Sequence, residues 1–218
     1  MTYELLKQNE AVKTYILRAD HCMKEMGYTE HGLGHVGKVA DVAGNILKDL
    51  GYDEKKIELV KISAYLHDIG NLVNRADHSQ SGAVMAFRIL NELGFDPVDI
   101  AVIVSAIGNH DEGTGIPVDE VAAALILADK SDVRRSRVRN EDTATFDIHD
   151  RVNFSVTDSL LLIDTEKKQV VLNLSIDTKY SSVMEYFEIF LNRMIMCKKA
   201  AEKLGLEFKL NINRQSLI

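Results

Sequence analysis

Residues 64–71 read AYLHDIGN, and they place a histidine and an aspartate directly behind an apolar run. The preceding VKISAYL (60–66) predicts a mostly buried helix. Burying an aspartate without a partner is costly, so Asp68 must be paired, hydrogen-bonded or bound to a metal ion. Adjacent helical residues point about 100° apart. His67 and Asp68 therefore need partners from neighbouring helices to form a site.

Amphipathic stretches flanked by helix caps fill the rest of this part of the chain. Most open near an Asp and close at a glycine, which is the cap asymmetry of helices. The last stretch is apolar all round its middle, as expected for a helix in the centre of a bundle. Residues 1–140 therefore predict an all-α helical bundle domain. Its predicted helices cover residues 3–26, 35–50, 53–69, 78–93, 96–108 and 119–138.

The sequence pattern changes after this bundle. Residues 141–150 are polar without a clear period and predict a linker. In residues 151–178, two β-branched and aliphatic segments surround TEKKQ and predict a hairpin. A long helical pattern (181–205) and the alternating LEFKLNIN (206–213) follow. The predicted fold class is thus mostly α, with residues 151–218 as a small C-terminal α+β subdomain of order ββαβ.

Composition narrows the possible partners. The chain has 218 residues, 46% of them hydrophobic and 27% charged, which is typical of a globular protein. Its net charge of -7 argues against a nucleic-acid polymer or an anionic membrane and favours a small anionic ligand. Cys22 and Cys197 lack metal-site spacing, and no signal peptide or membrane span is evident. We expect a reduced, cytoplasmic protein, and the sequence leaves a homodimer open.

Four histidines lie at or near predicted helix ends, together with two aspartates. A lone histidine in such a place is usually structural, and the His-Asp dipeptide occurs three times, so the set matters rather than its members. Four imidazoles and two carboxylates suit a borderline divalent ion and are too rich in nitrogen for calcium. Six ligands are more than one tetrahedral zinc ion requires, whereas a dinuclear site with a bridging carboxylate would use all six. The candidates are His35, His67, Asp68, His78, His110 and Asp129.

The order of these residues resembles the HD-domain metal-dependent phosphohydrolase superfamily over roughly residues 30–138. The resemblance implies a dinuclear centre in which Asp68 bridges one ion held by His35, His67 and Asp129 and a second held by His78 and His110. It implies one or two divalent ions, drawn from Fe, Mn, Ni, Zn, Co and Mg. The motifs that carry it are HVGKVA (35–40), AYLHDIG (64–70), DHSQSGA (77–83), GNHDEGTGIP (108–117) and LILADKSDVRR (125–135).

One branch of that superfamily, the cyclic-dinucleotide phosphodiesterases, is also similar at HDEGTGIP (110–117). The chain departs from this branch at two positions. Asn71 stands where the branch has lysine, and Asn109 stands where it has a further histidine.

Such a centre favours hydrolysis of a phosphoester. Two divalent ions lower the pKa of a bridging water and bind phosphoryl oxygens, with Asp68 as the catalytic bridge. Asp111, Glu112 or a metal-bound water could protonate the leaving oxygen, and the sequence does not choose among them. Cationic and polar side chains near the motifs are candidates for binding the substrate phosphate. These candidates are His31, Asn71, Arg75, Lys130, Arg134, Arg135 and Arg137.

The predicted function is a metal-dependent phosphomonoesterase or phosphodiesterase acting on a small phosphorylated metabolite or nucleotide. Two alternatives stay open. Some members of the same superfamily use a diiron centre for oxygen-dependent oxidation. A non-catalytic module could instead sense a nucleotide, with the ββαβ subdomain contacting a partner. His21 and His149 are interpreted as structural.

Overall fold

A computed structural model describes residues 2–218, and within them it shows a helical bundle joined to one small sheet. The helices are α1 (Tyr3–Gln8), α2 (Glu10–Glu25), α3 (Leu33–Asp49), α4 (Glu54–Leu66), α5 (His78–Glu92), α6 (Pro97–Gly108), α7 (Glu120–Ser131), α8 (Ile148–Ser155) and α9 (Val183–Lys203). The strands are β1 (Val156–Asp164), β2 (Gln169–Ile176), β3 (Glu207–Ile212) and β4 (Gln215–Ser216). The predicted fold class is confirmed.

Helix α7 lies at the centre of the bundle. Every residue from 121 to 131 is buried, and residues 121–128 are apolar on every side of the helix. Helices α3, α4, α6 and α9 pack around it. Because α9 belongs to the C-terminal part of the chain, the sheet and the bundle share one continuous hydrophobic core.

The HDIG turn (67–70) brings two helices together. Helix α4 ends at Leu66, and a short 3-10 turn, Ile69–Leu72, leads the chain towards α5. Gly70 packs against the first turns of α5, where a Cβ atom would overlap the backbone of His78 and Gly82. Only glycine permits this approach, and the approach places Asp68 beside the start of α5.

The helices differ from the sequence prediction in three main places. The predicted helix 3–26 is two helices, because the Asn9 side chain accepts from the backbone N–H of Val12 and caps the second one. The predicted helix 119–138 ends at Ser131, because the Asp132 side chain forms ion pairs with other segments and the chain turns away. Helix α8 also begins inside the predicted linker, at a capping Asp147.

The sheet has the strand order β1-β2-β3-β4. Strands β1 and β2 form the predicted antiparallel hairpin, and β3 joins β2 in parallel after the α9 crossover. The predicted ββαβ order is present, with the two-residue β4 added at the edge. Alternate residues of β2 and β3 are buried on one face, as a half-buried sheet requires. Among the described residues, no helix has the length and apolar character that crossing a bilayer demands.

Candidate metal centre and substrate cleft

The six predicted ligands meet in one buried cluster. They come from five helices, mostly at helix ends, and each is at most 9% exposed. The cluster therefore lies where α3, α4, α5, α6 and α7 converge. Its members are His35 in the first turn of α3, His67 and Asp68 after α4, His78 at the start of α5, His110 after α6 and Asp129 near the end of α7.

The four histidines of the cluster share one arrangement. In each, Nδ1 donates to an oxygen outside the cluster, and Nε2 points inwards. A carbonyl oxygen can only accept, so Nδ1 carries the hydrogen and Nε2 presents a lone pair, as metal-ligating histidines do. The acceptors are Asp132 Oδ2 for His35 (2.8 Å), the Ala64 carbonyl for His67 (2.7 Å), the Arg75 carbonyl for His78 (3.1 Å) and the Ile107 carbonyl for His110 (2.6 Å).

The first half of the cluster surrounds Asp129. Its Oδ1 lies 3.3 Å from His35 Nε2 and 3.7 Å from His67 Nε2. Both nitrogens are buried and make no hydrogen bond within residues 2–218. Lone pairs of nitrogen and carboxylate oxygen repel each other unless a cation lies between them. The donor set and its unsatisfied atoms therefore fit a divalent metal ion, and these three residues could hold one together.

The second half of the cluster surrounds Asp68, a different carboxylate, at its Oδ1 atom. His78 Nε2 and His110 Nε2 lie 3.1 Å apart, at 3.5 Å and 4.0 Å from Asp68 Oδ1. Asp68 Oδ2 instead faces His67 at 3.3 Å and His35 at 3.5 Å. Each oxygen of this carboxylate thus faces a different pair of imidazoles, which is the arrangement that a bridging ligand requires. His67, Asp68 and His110 also lie close enough together to hold one metal ion, so His67 borders both halves of the cluster.

The charges of the cluster suit a cation. Burial raises the pKa of Asp68, but His67 and the other imidazoles outweigh burial and hold that pKa well below its usual range. Burial also raises the pKa of Asp129, and Lys130 outweighs it in the same way. Burial lowers the pKa of His78 and keeps its imidazole neutral. Burial also lowers the pKa of His67, but Asp68 and Asp129 outweigh it and raise that pKa to about 10, so a metal ion would displace a proton from this ring.

Asp132 holds His35 from outside the cluster. The carboxylate is buried, and besides His35 it accepts from Arg134 at 2.9 Å and pairs with Lys38 at 3.0 Å. Burial raises the pKa of Asp132, but the hydrogen bond from His35 and the Arg137 charge outweigh it and lower the pKa. Asp132 was not among the predicted site residues, although it stands only three residues after Asp129 in the sequence.

We expect Asp132→Asn to weaken metal binding by about 10-fold to 100-fold, because the neutral amide fixes the His35 ring less strongly. Titration of the metal-free protein with Mn²⁺ measures the change. Asp177→Asn is the matched control, since it removes the carboxylate that faces Arg135 at 3.7 Å, away from the cluster. Equal affinities in both variants and the parent would show that Asp132 does not support the metal ligands.

Lys130 and Glu112 form a buried pair beside the cluster. Lys130 Nζ lies 2.8 Å from Asp129 Oδ2 and 2.7 Å from Glu112 Oε2. The ammonium group that was predicted to bind substrate therefore fixes Asp129, a predicted metal ligand. Burial raises the pKa of Glu112, but Lys130 and Arg193 outweigh it and keep the carboxylate ionised, so Glu112 is not suited to donate a proton. Asp111 Oδ1 lies 3.9 Å from His78 Nε2, with the side chain 28% exposed at the edge of the cluster.

The other predicted substrate residues divide into two groups. Asn71 donates to Asp68 Oδ1 at 2.9 Å, and Arg75 Nη1 lies 3.8 Å from the same oxygen. Arg134 instead pairs with Asp132, and Arg135 donates to the Phe154 carbonyl. The structure does not bring these last two to the cluster, because α7 ends before them and the helical spacing behind their prediction does not continue.

A cleft of about 400 Å³ leads from the surface towards the cluster. Its walls come from the loop after α2, from α8 and from α9. A smaller polar cavity beneath it contains Asp68, His78, His110 and Asp129. The two cavities share a rim made of His31, Arg75, Arg137 and Arg193, whose positive charge comes from the three arginines.

Two wall residues of the cleft were not expected from the sequence. His149, interpreted there as structural, lines the cleft because α8 forms where a linker was predicted. Arg193 lies in the long C-terminal helix, where the pattern indicates only core packing.

The chain is similar to several known proteins over part of its length. The chain is 28% identical over 162 residues to an uncharacterized protein of Methanocaldococcus jannaschii, covering 64% of this chain and 62% of that protein. It is 30% identical over 119 residues to Ribonuclease Y of Opitutus terrae, covering 55% of this chain and 21% of that protein. A crystal structure of a predicted HD superfamily hydrolase from an uncultured Thermotogales bacterium shares 25% identity, with 60% and 73% of the two chains covered and a TM-score of 0.44.

The family model described as HD domain matches residues 32–136, the segment that contains all six residues of the cluster. The chain spans 62% of the first relative and 21% of the second, so the match concerns this segment rather than those whole proteins. The ordered motifs, the convergence of their side chains and the family match agree: residues 32–136 of this chain are an HD domain.

Proposed function

We propose that the protein is a metal-dependent phosphohydrolase that acts on a small phosphomonoester. The observation that carries the proposal is the position of Asp68, whose two oxygens face two different pairs of imidazoles below a cleft with three arginines at its inner rim. Two divalent ions held there would supply a water of lowered pKa and bind phosphoryl oxygens. The ions would be held by His35, His67, Asp68, His78, His110 and Asp129.

The chain's own groups prepare the site in three ways. The Nδ1 hydrogen bonds fix the imidazole rings, and Lys130 fixes Asp129. At the shared rim, Arg75 binds the phosphate oxygens, where its charge and donors match an anion, whereas burial and Arg137 lower the pKa of His31 and leave that ring uncharged. Asp111, at the exposed edge, delivers the proton to the leaving oxygen.

The cleft supports a small substrate. A volume of about 400 Å³ accommodates a compact metabolite or a mononucleotide. Its rim is cationic, whereas the whole chain carries a net charge of -7, which disfavours wide contact with a polyanion. A phosphomonoester places one dianionic group at the rim and leaves the cleft for the organic part.

A second candidate is hydrolysis of a phosphodiester in RNA. It is favoured by the 30% identity to a protein named Ribonuclease Y, which extends over 119 residues. The same cluster of residues could hold metal ions for hydrolysis of either ester, so an experiment has to distinguish the two substrate classes.

The test compares ester classes in the metal-loaded protein without oxygen. We expect Mn²⁺-loaded protein to release phosphate from p-nitrophenyl phosphate and nucleoside monophosphates, and to leave bis-p-nitrophenyl phosphate and a single-stranded RNA oligonucleotide largely intact. Faster cleavage of the diesters would move the assignment to a phosphodiesterase. Turnover under these conditions excludes an oxygen-dependent oxidation. If the protein hydrolyses none of these esters, the proposed function is refuted and a sensing module is favoured.

A further inference from the structure

The C-terminal helix α9 supplies one wall of the cavity above the metal cluster. Its Arg193 lines both the outer cleft and the inner polar cavity. The residue lies outside the segment 32–136 that matches the HD domain. The part of the chain after the HD domain thus reaches the place where the two cavities meet.

The guanidinium of Arg193 is held in place from two sides. Its Nε donates to Glu112 Oε1 at 3.0 Å, and the group lies over the Phe190 ring at 4.5 Å from the centroid. The other oxygen of Glu112 pairs with Lys130, which in turn pairs with Asp129. A continuous chain of ion pairs therefore connects α9 to a metal ligand, and a guanidinium fixed in this way loses little entropy when it binds an anion.

The remaining donors of Arg193 are available to a ligand. Within residues 2–218, Nε donates to a protein acceptor and the two amino groups of this side chain do not. The side chain is 20% exposed. Arg137, on the same rim, is instead engaged by Asp132 and by the Glu30 carbonyl. The two amino groups of a guanidinium match two oxygens of a phosphate, so the free face of Arg193 suits a phosphoryl group.

We propose that Arg193 binds the phosphoryl group of the substrate, and that the C-terminal subdomain thereby completes the active site of the HD domain. The inference rests on the proposed function for the identity of the substrate. It assigns to α9 the role of a substrate-binding element, and it explains why Glu112 lies between Lys130 and Arg193.

The test compares Arg193→Gln with Arg151→Gln. Arg151 also pairs with a glutamate, Glu185, at 2.9 Å, but it lines neither cavity. With Mn²⁺-loaded protein, we expect Arg193→Gln to raise KM for p-nitrophenyl phosphate and the Kd of inorganic phosphate by about 10-fold to 100-fold. The number of bound ions stays unchanged, and Arg151→Gln matches the parent in all three measurements. Arg193→Lys keeps the charge and is expected to recover part of the loss.

The outcomes separate this inference from the proposed function. If the parent hydrolyses the ester and Arg193→Gln behaves like Arg151→Gln, the role of Arg193 is wrong and the function stands. If the parent hydrolyses no ester but binds phosphate through Arg193, the function is wrong and the binding role stands. Absence of phosphate binding by the parent contradicts the inference. Should Arg193→Gln fail to fold, the same comparison between Arg193→Lys and the parent decides it.

Discussion

Asp68→Ala is expected to lower phosphoester hydrolysis by at least about 10³-fold, because metal ions contribute several kcal/mol to such reactions and each 1.4 kcal/mol is a factor of ten. Asp68 faces all four imidazoles of the cluster, so its loss affects both halves at once. The measurement is kcat/KM for p-nitrophenyl phosphate at saturating Mn²⁺. Asp68→Asn, which keeps the shape and removes the charge, is expected to lose nearly as much.

The control for this experiment is Asp158→Ala, which removes an exposed carboxylate on β1. It is expected to match the parent in activity and metal content. Thermal unfolding of the metal-free variants shows whether a loss reflects the site or the fold. An Asp68→Ala protein that keeps more than a tenth of the activity would contradict the bridging role.

Gly70→Ala is expected to lower the free energy of unfolding by about 3 kcal/mol or more, since the added methyl group overlaps backbone atoms that cannot move aside. For a chain of this length, such a change lowers Tm by roughly 6–12 °C. The variant also separates Asp68 from the start of α5, so we expect binding of Mn²⁺ to weaken in any molecules that fold. Urea unfolding measures the stability.

Gly37→Ala is the matched control for this substitution. Gly37 lies inside α3, and a Cβ atom there meets nothing within 4 Å. Alanine favours a helix over glycine, so we expect a gain in stability of up to about 1 kcal/mol. If Gly70→Ala were as stable as Gly37→Ala, this result would contradict the claim that the HDIG turn packs too closely on α5 to admit a Cβ atom.

The sequence predicts the parts of the site that depend on local pattern. His67 and Asp68 follow a buried helix, and His78 and His110 stand beside capping signals, so their positions at helix ends follow from spacing and caps. That these ends converge follows from the ordered motifs and their resemblance to a known superfamily, since spacing alone does not determine which helices pack together.

The parts that depend on long-range contacts could not be predicted. Helix α7 ends at Ser131 because Asp132 pairs with His35, a residue distant in the sequence, and this end turns Arg134 and Arg135 away from the cluster. Arg193 and His149 reach the cleft only because α8 and α9 pack on the bundle. A periodicity of apolar residues identifies the buried face of a helix, but it does not show which polar residue at its border faces a cavity.

The most direct test of this account is the number of metal ions bound per chain. Elemental analysis of the protein, purified without chelators and again after loading with Mn²⁺, gives that number. A dinuclear centre bridged by Asp68 predicts two ions per chain, and one or none in Asp68→Ala. A parent protein that binds at most one ion after loading, with affinity independent of His78 and His110, would contradict it.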